Sequence, residues 1–163
     1  MAFVRYPHPV LAKPATPRQV DPVLRTIGSQ LRAAAIEVRA FGLAAAHIGI
    51  DAPVIVLNVT PEAAEPSYRL LYNPWVAGQA AEVESGREAS VSLPGVEAEI
   101  IRPIWADIGF SDEDGAPQHE HFAGFLARVA LHEIEQMNGR FYLMNLSRLK
   151  REMLLKAASK RRG

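Results

Sequence analysis

Apolar residues recur at helical spacing in two long stretches of the chain, with short β-rich runs between them. The first helix is predicted over 21–39, since it opens on an Asp-Pro pair that suits an N-cap followed by the first helical position. The second is predicted over 124–139, where an Asn-Gly pair favours a C-terminal stop. A last helix is predicted to begin near Ser147. The inward stripe of the second helix comprises Leu126, Val129, Ala130, Ile134 and Met137.

The segments between the two long helices are predicted to be strands. These strands are 53–59, 68–76, 82–92, 96–110 and 118–122. The small-residue segment 42–50 is predicted to be a turn, and Pro103 indicates a sheet edge or a bulge in its strand. A helix, several antiparallel strands and two further helices predict an α+β fold.

Length and composition favour one compact domain covering 1–163. The 18 basic and 18 acidic residues cancel, so the whole molecule has no net field that would attract nucleic acid or an acidic membrane. The segment 148–163 nevertheless holds seven Lys or Arg residues and one acidic residue. This basic segment suits a solvated helix end, and RNA or ribosome contact through it stays an alternative that rests on composition alone.

The chain has no cysteine, which excludes disulfides and thiolate metal ligands. Its first fifteen residues carry charge and three prolines, and no apolar run approaches the 18 residues of a membrane span. We therefore expect a soluble, cytoplasmic protein. The sequence makes no prediction about its oligomeric state.

The run "VALHEIEQMNG" at 129–139 differs by one residue from a zinc-hydrolase helix. In the H-E-x-x-H pattern, two histidines on one helical face hold a metal ion and the glutamate acts as a base. Here His132 and Glu133 open the pattern, but Gln136 stands in place of the second histidine. The run therefore matches the pattern of a metal-binding helix except for one exchanged ligand.

Three segments together resemble the peptide deformylases, the metallohydrolases that remove the formyl group from the N-terminal methionine of new bacterial chains. "AFGLAAAHIG" at 40–49 is similar to the family's G-x-G-x-A-A-x-Q-I-G motif, and "EASVSLP" at 88–94 to its E-G-C-L-S-x-P motif. "LHEIEQMNG" at 131–139 is similar to Q-H-E-x-D-H-x-x-G. The opening "YPHPVLAKPA" resembles the family's start and "LYNPWV" at 71–76 its "INP" strand. The resemblance therefore implies a deformylase-like fold over nearly the whole chain, with antiparallel sheets around a central helix.

The resemblance implies a role for each matched position. His132, Ser90 and Gln136 occupy the three metal-ligand positions, which in the family hold two histidines and a cysteine thiolate. Glu133 occupies the position of the proton-handling glutamate, and His47 that of the glutamine at the oxyanion. The backbone of Val91 is the other oxyanion position, and the implied substrate-binding residues are Gly42, Leu43, Ala44, Ser92 and Gly95.

The exchanged residues predict a site impaired for metal. A serine hydroxyl stays protonated near neutral pH and an amide oxygen is a weak, hard donor, whereas thiolate and imidazole bind borderline-soft metals strongly. We therefore expect no cofactor, with a weakly bound zinc, iron or nickel ion as the alternative. The main hypothesis is a deformylase-like protein without normal activity that binds peptide N-termini or nascent chains by strand addition at 41–44 and 91–95.

Two enzymatic alternatives remain open in the sequence. In an atypical metallohydrolase, His47 would replace a missing ligand beside His132, with Glu133 as the base and Glu135 or Gln136 as a hard donor. In a metal-free hydrolase, Ser90 and His132 would form a serine–histidine pair.

Two further pairs of residues suggest local roles. Glu88 and Arg102 are expected to pair and brace the strand of the second motif. His119 and His121 lie on one face of a predicted strand, where they are either solvated or a pair of metal ligands.

Overall fold

A computed structural model describes residues 2–160 as an α+β fold. Within them lie three helices, α1 (Pro22–Val38), α2 (Gly124–Met137) and α3 (Arg148–Lys160). The seven strands are β1 (Gly42–Ala44), β2 (Val54–Asn58), β3 (Tyr68–Gln79), β4 (Val83–Glu88), β5 (Ala98–Pro103), β6 (Trp105–Ser111) and β7 (Pro117–Ala123). No helix in this part of the chain is long and apolar enough to cross a lipid bilayer.

Two antiparallel sheets organise the molecule. The larger has five strands in the order β1-β2-β3-β6-β7, and the smaller is the hairpin β4-β5. Strand β1 therefore stands at one edge of the larger sheet, and within residues 2–160 it pairs only with β2.

The larger sheet is covered by a helix on each face. On one face, α2 packs its apolar stripe on a cluster that includes Ile55, Ile108 and Phe122. On the other face, Leu24 and Leu31 of α1 pack in a second cluster, with residues of β2 and β3. All five positions of β2 are buried for this reason, which explains why its sequence is a continuous apolar run.

A third apolar cluster joins the small sheet to the C-terminal region. It contains Leu11, Ile100, Phe141 and Tyr142. Helix α3 has no buried residue, and its Leu154 and neighbours pack against this cluster only in part. Residues 161–163 of the predicted basic segment lie outside the described residues.

The helix predictions are confirmed almost to the residue. The carboxylate of Asp21 accepts the backbone N–H of Leu24 at 2.7 Å and caps α1, and Arg39 closes that helix in the left-handed conformation. At the end of α2, Gly139 has a φ of 79°, and a Cβ there would lie 2.7 Å from the carbonyl oxygen of Ala12. Glycine is thus required for both the turn and the close approach.

Two strand predictions were wrong in their bounds, and one predicted turn contains a strand. The segment 96–110 is not one strand, because the chain leaves the small sheet at Pro103 and enters the large sheet at Trp105. The strand predicted over 82–92 ends at Glu88, and the residues after it form a turn in which Leu93 N–H donates to the carbonyl of Ser90. The predicted turn at 42–50 contains β1, since its small residues fit between β2 and α2.

Candidate functional site

A cavity of about 370 Å³ opens where β1, the end of β4 and α2 meet. Its walls are largely apolar, and Phe41 and Phe125 stand partly exposed at its mouth with their rings 4.9 Å apart. The polar groups that line it include Ser90, His132 and Glu133. The structure thus brings residues of all three sequence motifs to one cleft, as predicted.

Gly42 determines how closely β1 approaches α2. A Cβ at this position would lie 2.7 Å from Cγ1 of Val129 and 2.9 Å from Cγ of Glu133. Any larger residue would therefore push the strand away from the helix and change the cleft.

The carboxylate of Glu88 is the centre of a buried polar network. Arg102 donates to it twice, each time at 2.8 Å, so the predicted Glu88–Arg102 pair is present. Nδ1 of His132 lies 2.7 Å from Oε1 of Glu88, and Arg128 donates to Oε2 at 3.0 Å. Burial alone would raise the pKa of Glu88, but the hydrogen bonds from Arg102 and His132 outweigh it and lower the pKa to about 2.

Arg128 is a site residue that the sequence reasoning missed. Besides Glu88 it binds the carbonyl oxygens of Ile100 and Glu84, at 2.8 and 2.9 Å. Its guanidinium crosses β4 at Gly86, where a Cβ would come within 2.7 Å of Cζ. A signal was present, because Arg128 stands four residues before His132 and next to the inward stripe of an otherwise apolar helix.

Ser90 is paired with His47 through its hydroxyl. Oγ of Ser90 lies 3.4 Å from Nε2 of His47 and accepts the backbone N–H of Ser92 at 3.1 Å. Among the described residues, the imidazole that pairs with the Ser90 hydroxyl is thus that of His47, whereas the serine–histidine alternative requires a bond to His132.

His47 is held in one tautomer. Its Nδ1 accepts the backbone N–H of Ala44 at 3.0 Å, so the proton of the neutral ring is on Nε2 and points to Ser90. Burial, together with the charge of His132, lowers the pKa of His47 to about 3. This ring cannot accept a proton from Ser90 through Nε2, which argues against serine-type hydrolysis.

Glu133 is a buried carboxyl group without a full set of partners. Its Oε2 is fully buried and has no hydrogen-bond partner among the described residues. Two imidazoles lie near it, with Nδ1 of His47 3.6 Å from Oε2 and Nε2 of His132 3.9 Å from Oε1, and the backbone N–H of Ala44 also acts on this carboxyl group. Burial raises the pKa of Glu133 to about 7.

His132 responds to the two carboxyl groups on either side of it. Burial alone would lower its pKa, but the negative charges of Glu133 and Glu88 outweigh burial and raise it. The cleft around this ring therefore favours a positive charge.

Gln136 does not reach the cavity. Its side-chain amide donates to the carbonyl oxygen of Leu11 at 2.8 Å, and the residue is 1% exposed. Because this bond turns the amide toward the N-terminal segment, Gln136 links α2 to the turn at 9–12.

The deformylase resemblance implies a divalent metal, and the residues at the three ligand positions do not fit one. Ser90 offers a hydroxyl that already accepts a backbone N–H, and the amide of Gln136 is bound to Leu11. Both ring nitrogens of His47 are engaged, so it does not replace a missing ligand. Across residues 2–160, no three His, Cys, Asp or Glu side chains are grouped so that they could hold a metal ion.

Of the residues expected to bind substrate, Gly42 and Leu43 line the cavity and three others do not. The backbone N–H of Ala44 donates to His47, and Ser92 is fully buried with a hydroxyl that has no hydrogen-bond partner among the described residues. Gly95 lies in the following turn with a φ of 77° and serves chain geometry. Val91, whose backbone is the other expected oxyanion position, lines the cavity.

An N-terminal strap, residues 4–6, positions the two loops that carry His47 and Ser90. Val4 N–H donates to the carbonyl of His47, and Tyr6 N–H donates to the carbonyl of Ser92. The guanidinium of Arg5 binds the carbonyl of Val91 at 2.8 Å. The strap therefore ties both loops to one segment.

His119 and His121 lie outside the cleft on the exposed face of β7. Nδ1 of His121 lies 2.6 Å from Oδ1 of Asp107, and the ring centroid of His121 lies 5.3 Å from that of Trp105. The ring centroid of His119 lies 5.7 Å from that of Trp75. They thus have local partners on the sheet and belong to no group of three potential metal ligands in the described residues.

Comparison with known sequences gives matches along nearly the whole chain. The family model for polypeptide deformylase matches residues 1–152. A peptide deformylase-like protein of Rhizobium meliloti is 35% identical, over 97% of this chain and 91% of that protein. A peptide deformylase of the same organism is 32% identical, over 96% of this chain and 92% of that protein.

Solved structures agree with the sequence matches. A peptide deformylase from Legionella pneumophila is 27% identical, has a TM-score of 0.87 and aligns over 98% of this chain and 94% of its own. One from Ehrlichia chaffeensis, 24% identical over 99% of this chain and 96% of its own, has a TM-score of 0.90 and supports the fold. The match of the family model, the relatives and the three motifs meeting at one cleft together show that this chain belongs to the polypeptide deformylase family.

Proposed function

We propose that this protein binds the N-terminal residues of an extended peptide in the cleft and does not hydrolyse formyl groups by metal-dependent chemistry. The observation that carries the proposal is a formed cavity beside an edge strand, in which the donors at two ligand positions are a hydroxyl and an amide already bound elsewhere. The cleft therefore retains the means to hold a peptide and lacks the donors that activate water.

Strand β1 supplies the backbone for peptide binding. It is the last strand of the five-stranded sheet on that side, so an extended peptide can add beside it through main-chain hydrogen bonds. Leu43 lies on this strand and also lines the cavity. Main-chain pairing gives affinity without requiring a particular peptide sequence.

The apolar walls suit the side chain of the first peptide residue. Phe41, Phe125 and Val129 line the cavity together, and the first two are exposed by 52% and 46% in the absence of a ligand. Covering such rings stabilises a complex by about 25 cal/mol per Å² of apolar surface removed from water. An apolar first residue such as methionine is the expected occupant.

Titration calorimetry with Met-Ala-Ser and N-formyl-Met-Ala-Ser tests binding. We expect at least one peptide to bind, and Phe125→Ala to weaken that binding about tenfold because an apolar wall is lost. Val23→Ala is the matched control, since Val23 is an exposed apolar residue on α1 and lies outside the cleft. If neither peptide binds at millimolar concentration, the proposal is wrong.

Release of formate from the formylated peptide tests the absence of metal-dependent hydrolysis. We expect no turnover above the rate without protein, either after addition of zinc, iron or nickel or after chelation. Turnover that a chelator abolishes would contradict the proposal.

A further inference from the structure

We infer that the cleft selects peptides that carry an acidic residue at the second or third position, and that Arg39 makes this selection. The inference rests on the proposed peptide binding and adds the chemical class of the peptide. It follows from the charges at the mouth of the cavity, from the place of Arg39 just before β1 and from the conformation of its backbone.

Exposure separates the mouth of the cavity from its base. Glu88 and Glu133 line the cavity and are buried, so they lie at its base. Three charged lining residues are exposed and lie at the mouth: Arg39, Arg87 and Glu97. A peptide that fills the cavity with its first side chain therefore passes these three groups where it leaves the cleft.

Two of the charges at the mouth compensate each other. Nη1 of Arg87 lies 3.5 Å from Oε2 of Glu97, and Nε of Arg87 lies 3.8 Å from Oε1 of Glu99. Arg87 thus has two carboxylate neighbours and no spare positive charge. Arg39 forms no ion pair within residues 2–160. The cation at the mouth that is available to a ligand is therefore the guanidinium group of Arg39.

Arg39 has a fixed place at the outer end of β1. The strand leads from the base to the mouth, since Leu43 is buried and Phe41, just before the strand, is exposed. The carbonyl of Phe41 still accepts the N–H of Asn58, at 2.8 Å, and Ala40 N–H is bound within the helix end. A peptide that pairs with β1 and runs out past Phe41 therefore brings its second or third residue level with Arg39, at about 3.3 Å per residue.

The backbone of Arg39 has a conformation that favours glycine. Its φ of 51° and ψ of 43° lie in the left-handed region, and its N–H closes α1 on the carbonyls of Ala35 and Ile36. Glycine is the usual residue at such a helix end, and asparagine comes next. The helix cap thus does not explain a long cationic side chain here, whereas a ligand at the mouth of the cavity does.

A carboxylate on the peptide matches a guanidinium group without an ion pair. The two groups form parallel, charge-assisted hydrogen bonds. An amide of the same size lacks the charge, and an ammonium group is repelled by Arg39. Because Arg39 is exposed to solvent, the gain is modest, about three- to fivefold in affinity.

Peptides that differ in one side chain test the inference. They are Met-Ala-X and Met-X-Ser, where X is aspartate, asparagine or lysine, and their C-termini are amidated so that no terminal carboxylate reaches Arg39. By calorimetry with the full chain, at least one aspartate peptide should bind about three- to fivefold more tightly than its asparagine counterpart. No lysine peptide should bind more tightly than its asparagine counterpart. The preference for aspartate should shrink as sodium chloride rises from about 0.05 to 0.5 M, because salt screens exposed charges.

Arg39→Gly assigns the selectivity to the side chain. Glycine suits the left-handed conformation, so the variant should fold at least as well as the wild type, with thermal unfolding as the check. It should bind aspartate and asparagine peptides equally, whereas Arg39→Lys should retain part of the preference because the charge remains. Arg25→Gln is the matched control, since Arg25 is an exposed arginine of α1 that does not line the cavity, and it should leave the preference unchanged.

The outcomes separate the inference from the proposed function. Equal binding of aspartate and asparagine peptides, or tighter binding of a lysine peptide, would overturn the selection of an acidic residue and leave peptide binding intact. A preference for aspartate that survives in Arg39→Gly, or that is lost in Arg25→Gln, would overturn the assignment to Arg39. Failure of every peptide to bind would refute the proposed function, and with it the inference.

Discussion

Glu88 and Glu133 are two buried carboxyl groups on either side of the same histidine, and their surroundings are opposite. Three side chains donate to Glu88, and the pKa of that group lies at about 2. Among the described residues, Glu133 has a buried oxygen without a hydrogen-bond partner, and burial raises its pKa to about 7. The comparison separates a carboxyl group that stabilises the fold from one that lacks a full set of partners.

The two carboxyl groups should respond differently to loss of charge. Glu88→Gln is expected to lower the free energy of unfolding by about 3–5 kcal/mol, because it leaves Arg102 and Arg128 buried without their carboxylate. Glu133→Gln should leave stability at pH 8 unchanged or raise it, since it removes a poorly partnered buried charge. Urea unfolding of both variants measures the difference, and similar losses in the two would refute the comparison.

Binding of a zinc ion in the cleft, beside His132, is expected to require two substitutions. Ser90→Cys with Gln136→His should bind zinc at least a hundredfold more tightly than either single variant, about 2.7 kcal/mol, because only the double variant joins two strong donors to His132. Gln136→His also removes the donor to the Leu11 carbonyl and should cost about 1–3 kcal/mol of stability.

Competition with a zinc-binding dye measures these affinities. Ser85→Cys with Gln136→His is the control, since Ser85 lies on the exposed part of β4 away from the cavity. If the well-folded Ser90→Cys, Gln136→His variant binds no zinc, the backbone that positions the three ligands has been altered as well as the ligands.

The two carboxyl groups should also give pH dependences of opposite sign. The folded protein retains a proton on Glu133 that the unfolded chain releases near pH 4.5, so stability falls as pH rises from about 4.5 to 7. The slope is at most about 1.4 kcal/mol per pH unit for one proton. Glu88 acts in the other direction, and its contribution is lost as pH falls from about 4.5 toward 2.

Unfolding of wild type and Glu133→Gln across pH 4–8 tests the first of these slopes. The variant should lose less stability than the wild type between pH 4.5 and 7. Identical profiles would show that the proton is not held at this site.

The smallest effect is expected for Ser90→Ala. The hydroxyl accepts one backbone N–H and lies at the outer limit of hydrogen bonding to His47, so its loss should cost about 0.5–1.5 kcal/mol. Ser85→Ala serves as a comparison for an exposed hydroxyl bonded to Glu99 at 3.0 Å. A loss as large as that of Glu88→Gln would mean that Ser90 belongs to the stabilising side of the cleft.

Much of the fold and the composition of the cleft could be predicted from the sequence. The helix caps follow from local chemistry, and the three motifs predicted which segments would meet. The break between β5 and β6 could not be predicted, because the same apolar pattern fits one long strand or two strands in different sheets. A change of sheet is a property of long-range pairing, and Pro103 indicated only an edge or a bulge.

The partners of individual side chains were harder to predict than the residues themselves. Ser90 was expected to face His132, but the tautomer and position of His47 follow from the N–H of Ala44, a backbone contact that has no sequence signal. Gln136 was expected in the site, and its bond to Leu11 joins residues 125 positions apart. Arg128 stands four residues before His132 in the helical pattern, but it belongs to none of the three motifs and was therefore not predicted as a site residue.

The contact between the end of α2 and the N-terminal segment has a consequence for the order of folding. Gln136 donates to the carbonyl of Leu11, Ala15 donates to the carbonyl of Met137, and Gly139 lies against Ala12. These contacts close a loop of more than a hundred residues, which makes them late and entropically costly to form. During synthesis, the segment 11–15 must therefore wait for residues up to 139 to leave the ribosome before it can make these contacts.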